Sequence, residues 1–170
     1  VSFVCSAASS AQLAAHVEQV KDQALGYLSE ADGQLEFVLQ PGLVDQVLST
    51  SDSAAILDLL AAFPHGAQAY NLQLGAALVD LSINLARVRL TQGEFFLESS
   101  YRFFNEAQSL PLQQSVLALA RAFQLSVKTV VGYPGCQPDM DSPLLAQAPA
   151  LHGRLFSREP AVKAIHAGLE

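Results

Sequence analysis

Short apolar runs of strand length alternate along this chain with segments whose apolar residues recur at helical spacing, and that alternation restricts the fold more than any other feature. Residues 1–5 (VSFVC) read as a first strand. Ser9 or Ser10 then caps a helix with Leu13, Val17 and Val20 on one face and Glu18, Lys21 and Asp22 on the other. A second strand is expected over 35–40 (LEFVLQ), between the Asp32-Gly33 turn and Pro41-Gly42. A short helix over 43–48 leads to Ser51 or Asp52, the cap of a longer helix through Phe63 that carries Ile56, Leu57, Leu59 and Leu60. Pro64-His65-Gly66 ends it.

The pattern continues with a third strand over 68–72, a short helix over 75–81 and a fourth strand over 86–90. Residues 93–104 form a helical or irregular passage rich in aromatics. Ser109 or Leu110 starts a helix in which Val116, Leu117, Leu119, Ala120 and Phe123 share a face. A fifth strand over 126–131 stops at Gly132-Tyr133-Pro134-Gly135. A loop over 137–143, a helix over 144–147, a sixth strand near Leu151 and a helix over 160–168 complete the chain. About six strands alternating with helices predict an α/β fold with a mostly parallel, helix-covered sheet in one domain, 1–170. That is too few for a closed eight-stranded barrel. The start inside a strand is expected of a fragment of a longer protein.

With 51% hydrophobic and only 15% charged residues, the chain has the apolar content to fold rather than stay disordered. A net charge of −7 disfavours nucleic acid as a partner, because phosphate binding needs clustered Lys and Arg. Arg87, Arg89, Arg102 and Arg121 read as a solvated face or structural ion pairs. Cys5 and Cys136 have no metal-ligand spacing and read as reduced thiols of a cytoplasmic protein. No apolar run approaches the ~20 residues that span a bilayer, so no membrane contact is expected of this segment.

Specific chemistry is sparse. His16, His65, His152 and His166 lack the spacing of a zinc site, and no serine sits in a Gly-x-Ser-x-Gly elbow. Gly132-Tyr133-Pro134-Gly135-Cys136 reads as a structural turn. The aromatic group Phe95, Phe96, Tyr101, Phe103 and Phe104 is either core or interface; beside Arg102, the residues Phe95, Phe96 and Tyr101 would make binding anchors.

The C-terminal half carries a family resemblance. SVLALARAFQLSVKTVV (115–131) resembles the helix-to-strand passage of EAL-domain cyclic-di-GMP phosphodiesterases, and HGRLFSR (152–158) resembles their last strand. LEFVLQP (35–41), VSFVCS (1–6) and ARVRLT (86–91) fall in register with earlier motifs. The resemblance implies a TIM-barrel-like fold, incomplete because the two earliest strands have no counterpart.

Carried over position by position, the resemblance also implies that the active site is gone. The metal-binding Asn falls on Val4, a Glu on Pro41, and the paired Asp segment on Ala69-Tyr70 or Tyr70-Asn71. The catalytic Lys falls on Arg89, the Asp near it on Thr91, and the fifth-strand Glu on Val130 or Val131; His152 replaces a Gln or Glu. Without carboxylates, two-metal hydrolysis has no ligands, so no catalytic residue, metal or cofactor is expected. The implied function is a catalytically inactive EAL-like regulatory domain acting by protein–protein interaction in bacterial signalling, with a protein partner or a second copy. The alternative is a non-hydrolysing receptor for cyclic-di-GMP or another small ligand, held by Arg89, Arg154 and His152. RNA binding is a third reading, opposed by the acidic balance.

Overall fold

The computed structural model describes residues 2, 4–29, 32, 34, 36–74 and 78–166. The chain divides into two compact units, Val1–Ser49 and Thr50–Glu170.

In the first unit a 3-10 turn, Ala7–Ser9, leads into helix α1, Ser10–Tyr27. Ser6 caps the turn: its side-chain oxygen accepts the Ser9 N–H at 3.2 Å. On α1, Lys21 donates to Glu18 at 3.0 Å, an exposed pair one turn apart. Of the expected strands, Val1, Phe3 and Leu35 lie outside the described residues, as does Gly33 of the expected turn. Residues 36–49 form neither the strand nor the short helix expected there.

The second unit holds helix α2 (Thr50–Ala62), strands β1 (Gly66–Tyr70), β2 (Val79–Thr91) and β3 (Glu94–Phe103), and helices α3 (Glu106–Ala122) and α4 (Pro143–Phe156). The strands form an antiparallel sheet in the order β1-β2-β3. This corrects the expected parallel, TIM-barrel-like architecture. The error is one of pairing: apolar runs separated by helical patterns suggest crossovers, but β2 and β3 are joined by two residues and can only run antiparallel. Gln92 (φ +54°) and Gly93 (φ +81°) both take the left-handed conformation, the pattern of a type I′ hairpin turn whose twist suits the strands it joins.

β2 covers most of what the sequence pattern divides into a helix over 75–81 and a strand over 86–90; Gly75, Ala76 and Ala77 lie outside the described residues. Leu81, Ile83 and Leu85 face the core. A bulge then inserts Ala86, because Leu85 pairs with Ser99 and Arg87 with Glu98. The extra residue resets the phase, so Val88 and Leu90 rejoin that face opposite Leu97 and Phe95. On β3 the alternation is unbroken: Phe95, Leu97, Ser99, Tyr101 and Phe103 are half-buried and their neighbours exposed.

The core lies on one face of this sheet. Leu59 from α2, Phe63 just after its end and Leu112 from α3 pack with Leu81 and Ile83, while Phe95, Tyr101, Phe103 and Val116 close around them. α2 begins one or two residues before the expected cap. α3 begins earlier than its periodicity suggests, because Asn105 accepts the Ala107 N–H at 2.9 Å and caps it. Ser109 is fully buried in its first turns, donating to the Glu106 carbonyl and accepting from Gln113.

Two further expectations are corrected. Residues 126–131 pair with no strand among the described residues, and Val130 and Val131 are exposed. The expected strand near Leu151 lies inside α4, which Pro143 starts at the position where a missing N–H costs nothing. The expected helix over 160–168 is irregular through His166; Ala167 and Gly168 lie outside the described residues.

Candidate functional site

The polar residues of early β2 project from the face opposite the core. Strand alternation puts Asp80 and Ser82 there, between inward-facing Leu81 and Ile83. Ser82 pairs directly with Arg102 of β3, so hydroxyl and guanidinium leave the sheet side by side. The Phe104 N–H donates to the Asp80 carbonyl at 3.1 Å and locks the strands together at this point.

His166 completes the cluster from the C-terminal segment. Its Nε2 lies 2.7 Å from Ser82 Oγ in a hydrogen bond that spans 84 residues of sequence. Its ring meets Phe104 edge-on, with centroids 5.6 Å apart. Burial, and after it the positive charge of Arg102, pushes the imidazole below the ordinary histidine value of 6.5; Asp80 pulls the other way. Neutral His166 therefore dominates at pH 7.

Asp80 is 5% exposed, and its Oδ1 has no hydrogen-bond partner among the described residues. Such an atom is costly to bury and marks a position kept for something other than stability. A serine bonded to a histidine suggests a nucleophile with its base. That arrangement also needs a group orienting the imidazole, and no hydrogen bond joins Asp80 to His166 among the described residues. The chemistry on offer is recognition: a permanently charged guanidinium, a hydroxyl and an imidazole, suited together to a carboxylate.

A groove of about 280 Å³ adjoins the cluster, between residues 100–104 and residues 132–136, and Arg102 belongs to its wall. The two walls approach closely at Gly135. A Cβ there would lie 2.8 Å from the Phe103 carbonyl oxygen and would also strike the Phe104 carbonyl. Only glycine fits this approach.

The sequence-derived candidates scatter over several places. Arg89 lies on β2 opposite Phe96 of β3, its guanidinium 4.8 Å over the Phe96 ring. His152 and Arg154 lie on α4, where His152 Nδ1 is 3.1 Å from the Arg158 carbonyl and its ring packs on Phe156. No hydrogen bond or ion pair links Arg89 to either of them among the described residues. Of the four interface candidates, Phe95 and Tyr101 pack toward the core, while Phe96 and Arg102 face the other way. Cys5 and Cys136 are exposed and free. Among the described residues no three His, Cys, Asp or Glu side chains gather as metal ligands.

Sequence reasoning overlooked Asp80, Ser82 and His166. A signal for the first two exists: VDLSINL (79–85) alternates apolar and polar residues with strand period. Nothing local announces His166, since its partner is set by the tertiary fold.

No family model matches the chain. It is similar to the cytosol non-specific dipeptidase of Escherichia coli (strain K12), with 26% identity over 144 residues, 84% of this chain and 30% of that protein. Its fold matches the crystal structure of aminoacylhistidine dipeptidase from Vibrio alginolyticus with a TM-score of 0.79 and 19% identity, over 96% of this chain and 33% of that one. The chain thus spans about a third of the proteins it matches.

These matches overturn the EAL resemblance and the signalling role drawn from it. They equally remove the inference that the chain is no part of an enzyme, which rested on carboxylates missing from a barrel that is not there. Helix-to-strand passages rich in Ala, Leu and Val recur in unrelated folds, and the motifs behind the resemblance were of that kind. No described helix is long and apolar enough to cross a membrane.

Proposed function

We propose that this chain is part of a cytosolic dipeptidase, in which β2, β3 and the segment around His166 recognise the terminal carboxylate of the peptide. The carrying observation is the convergence of Ser82, Arg102 and His166 on the outer face of the sheet, fixed by the 2.7 Å Ser82–His166 hydrogen bond and the Ser82–Arg102 strand pairing. The similarity to two dipeptidases supports the substrate class, and the cytosolic designation of the E. coli relative supports the compartment. Arg102 supplies the charge, with two parallel N–H groups that match a carboxylate. Ser82 and His166 supply directional hydrogen bonds, and a bound carboxylate offsets the repulsion between Arg102 and protonated His166. A second copy of the chain stays within this reading as a partner, testable by light scattering.

The test is calorimetric titration of the intact protein with Gly-Gly whose amide is reduced to a methylene amine, so that nothing can be cleaved. Arg102→Ala is expected to weaken binding by roughly 10- to 100-fold, the range of a hydrogen bond to a charged group. The methyl ester of the same probe should bind the wild type and the variant alike. Unchanged affinity for the free acid in Arg102→Ala would remove the assignment.

A further inference from the structure

We infer that His65 is a pH-sensitive latch at the hinge of the β2–β3 arm, closed while its imidazole is neutral and open once it is protonated. The latch is independent of the carboxylate reading above.

The sheet changes width at one point. β1 is short, and its ladder with β2 begins at the Gly66–Ile83 pair. β2 runs on to Thr91, and past Ile83 its strand partner among the described residues is β3 alone. The two continue as a two-stranded arm to the turn at Gln92-Gly93. The bulge at Ala86 sits just past this boundary, and a bulge is where a strand bends and its twist increases. The arm also leaves the core: Ile83 is 2% exposed, whereas Val88 and Leu90 on the same face are 41% and 48% exposed. Phe95 and Leu97 tie the arm down from β3.

His65 ties it from β2. It stands between Pro64 and Gly66, whose φ of +84° turns the chain into β1. The Gln68 side chain donates to the His65 carbonyl at 3.3 Å and steadies this turn. From there the ring Nδ1 accepts the Leu85 N–H at 3.1 Å, one residue short of the bulge. A backbone N–H can only donate, so Nδ1 carries no proton and the bond exists only for the neutral ring protonated at Nε2. Protonation turns both ring nitrogens into donors, and two N–H groups then face each other. His65 is exposed, so solvent protons reach it, and histidine is the side chain whose charge changes between about pH 5 and 8. The charged groups on the adjoining elements are Asp52 and Asp58 of α2, Arg87 and Arg89 of β2, and Glu94 and Glu98 of β3. Arg87 and Glu98 pair at 3.5 Å, and among the described residues no ion pair joins His65 to a carboxylate. Acid therefore breaks the Leu85 bond with nothing to replace it.

The test is amide hydrogen exchange and backbone relaxation by NMR on the intact protein at about pH 7.5 and about pH 5. In the wild type the protection factor of Leu85 should fall by roughly 3- to 10-fold in acid, the loss of one net hydrogen bond. The order parameter of Gly93, at the tip of the arm, should fall with it. Leu97 is the reference, so a change that it shares counts as whole-protein stability and not as the latch. His65→Asn keeps an acceptor that does not titrate, so Leu85 and Gly93 should behave alike at both pH values. His65→Ala should show the open behaviour at both. A Leu85 protection factor that ignores pH in the wild type, or that falls equally in His65→Asn, would overturn the latch. A response at Leu85 with none at Gly93 would overturn the hinge.

Discussion

Replacing Gly135 by alanine tests whether the 132–136 segment lies where the site requires it. The added methyl would sit 2.8 Å from the Phe103 carbonyl oxygen and from Phe103 Cδ2, and would also meet the Phe104 carbonyl. Ordinary contact begins near 3.4 Å, so the backbone must withdraw by at least about 0.6 Å, and further at the Phe104 carbonyl. Two of the three neighbours are main-chain atoms of β3 and its end, which cannot rotate aside. Overpacking of this kind costs about 1–3 kcal/mol. Loss of glycine freedom in the unfolded chain returns about 0.4–1 kcal/mol, leaving a net destabilisation of roughly 1–2 kcal/mol. Gly132, three residues away, is the control: a Cβ there meets nothing within 4 Å and its φ is not positive, so Gly132→Ala should be neutral or slightly stabilising. Urea denaturation followed by tyrosine fluorescence reads the difference, since the chain has no Trp. With a slope of about 2 kcal/mol/M, the Gly135→Ala midpoint should fall by roughly 0.5–1 M while Gly132→Ala stays in place. Coincident midpoints for the two variants would refute the close approach.

Two other expectations follow from the cluster. Asp80→Asn removes a charge from a buried position whose Oδ1 has no partner among the described residues, so it should raise stability by about 1 kcal/mol and bind reduced-amide Gly-Gly at least as tightly as the wild type, one negative charge near the carboxylate being gone; a less stable variant with weakened affinity would contradict this. Because His166 titrates below 6.5 in the folded state, the unfolded chain binds the extra proton first. Its contribution is thus whole above 6.5 and declines as pH falls below it, so unfolding midpoints measured from pH 7.5 to 5.5 should drop less steeply in His166→Gln than in the wild type. Identical slopes would show that the imidazole is not held in this environment.

Local chemistry made several elements readable. The Ile56–Leu60 run marks α2 because 3.6-residue periodicity acts within a few residues; α1 starts at the expected serines, but Ser9 makes no side-chain capping hydrogen bond there. The β2–β3 hairpin was equally legible in principle: Glu94–Phe103 alternates strictly and Gln92-Gly93 is a two-residue turn containing glycine. Its aromatics resemble a helix face when read at a spacing of three or four, and the extra residue at Ala86 breaks the alternation of β2 just where a pattern search needs it.

What local pattern does not carry is pairing. An apolar run such as 126–131 has the composition of a strand, yet it gains no ladder among the described residues, because a strand exists only through hydrogen bonds to another strand. The direction of the sheet, the use of one face for core and the other for Asp80, Ser82 and Arg102, and the arrival of His166 across 84 residues all arise from contacts between distant segments. Helical signals are written in neighbours; the candidate site is written in loop closures, whose partners are chosen by the free energy of the whole fold.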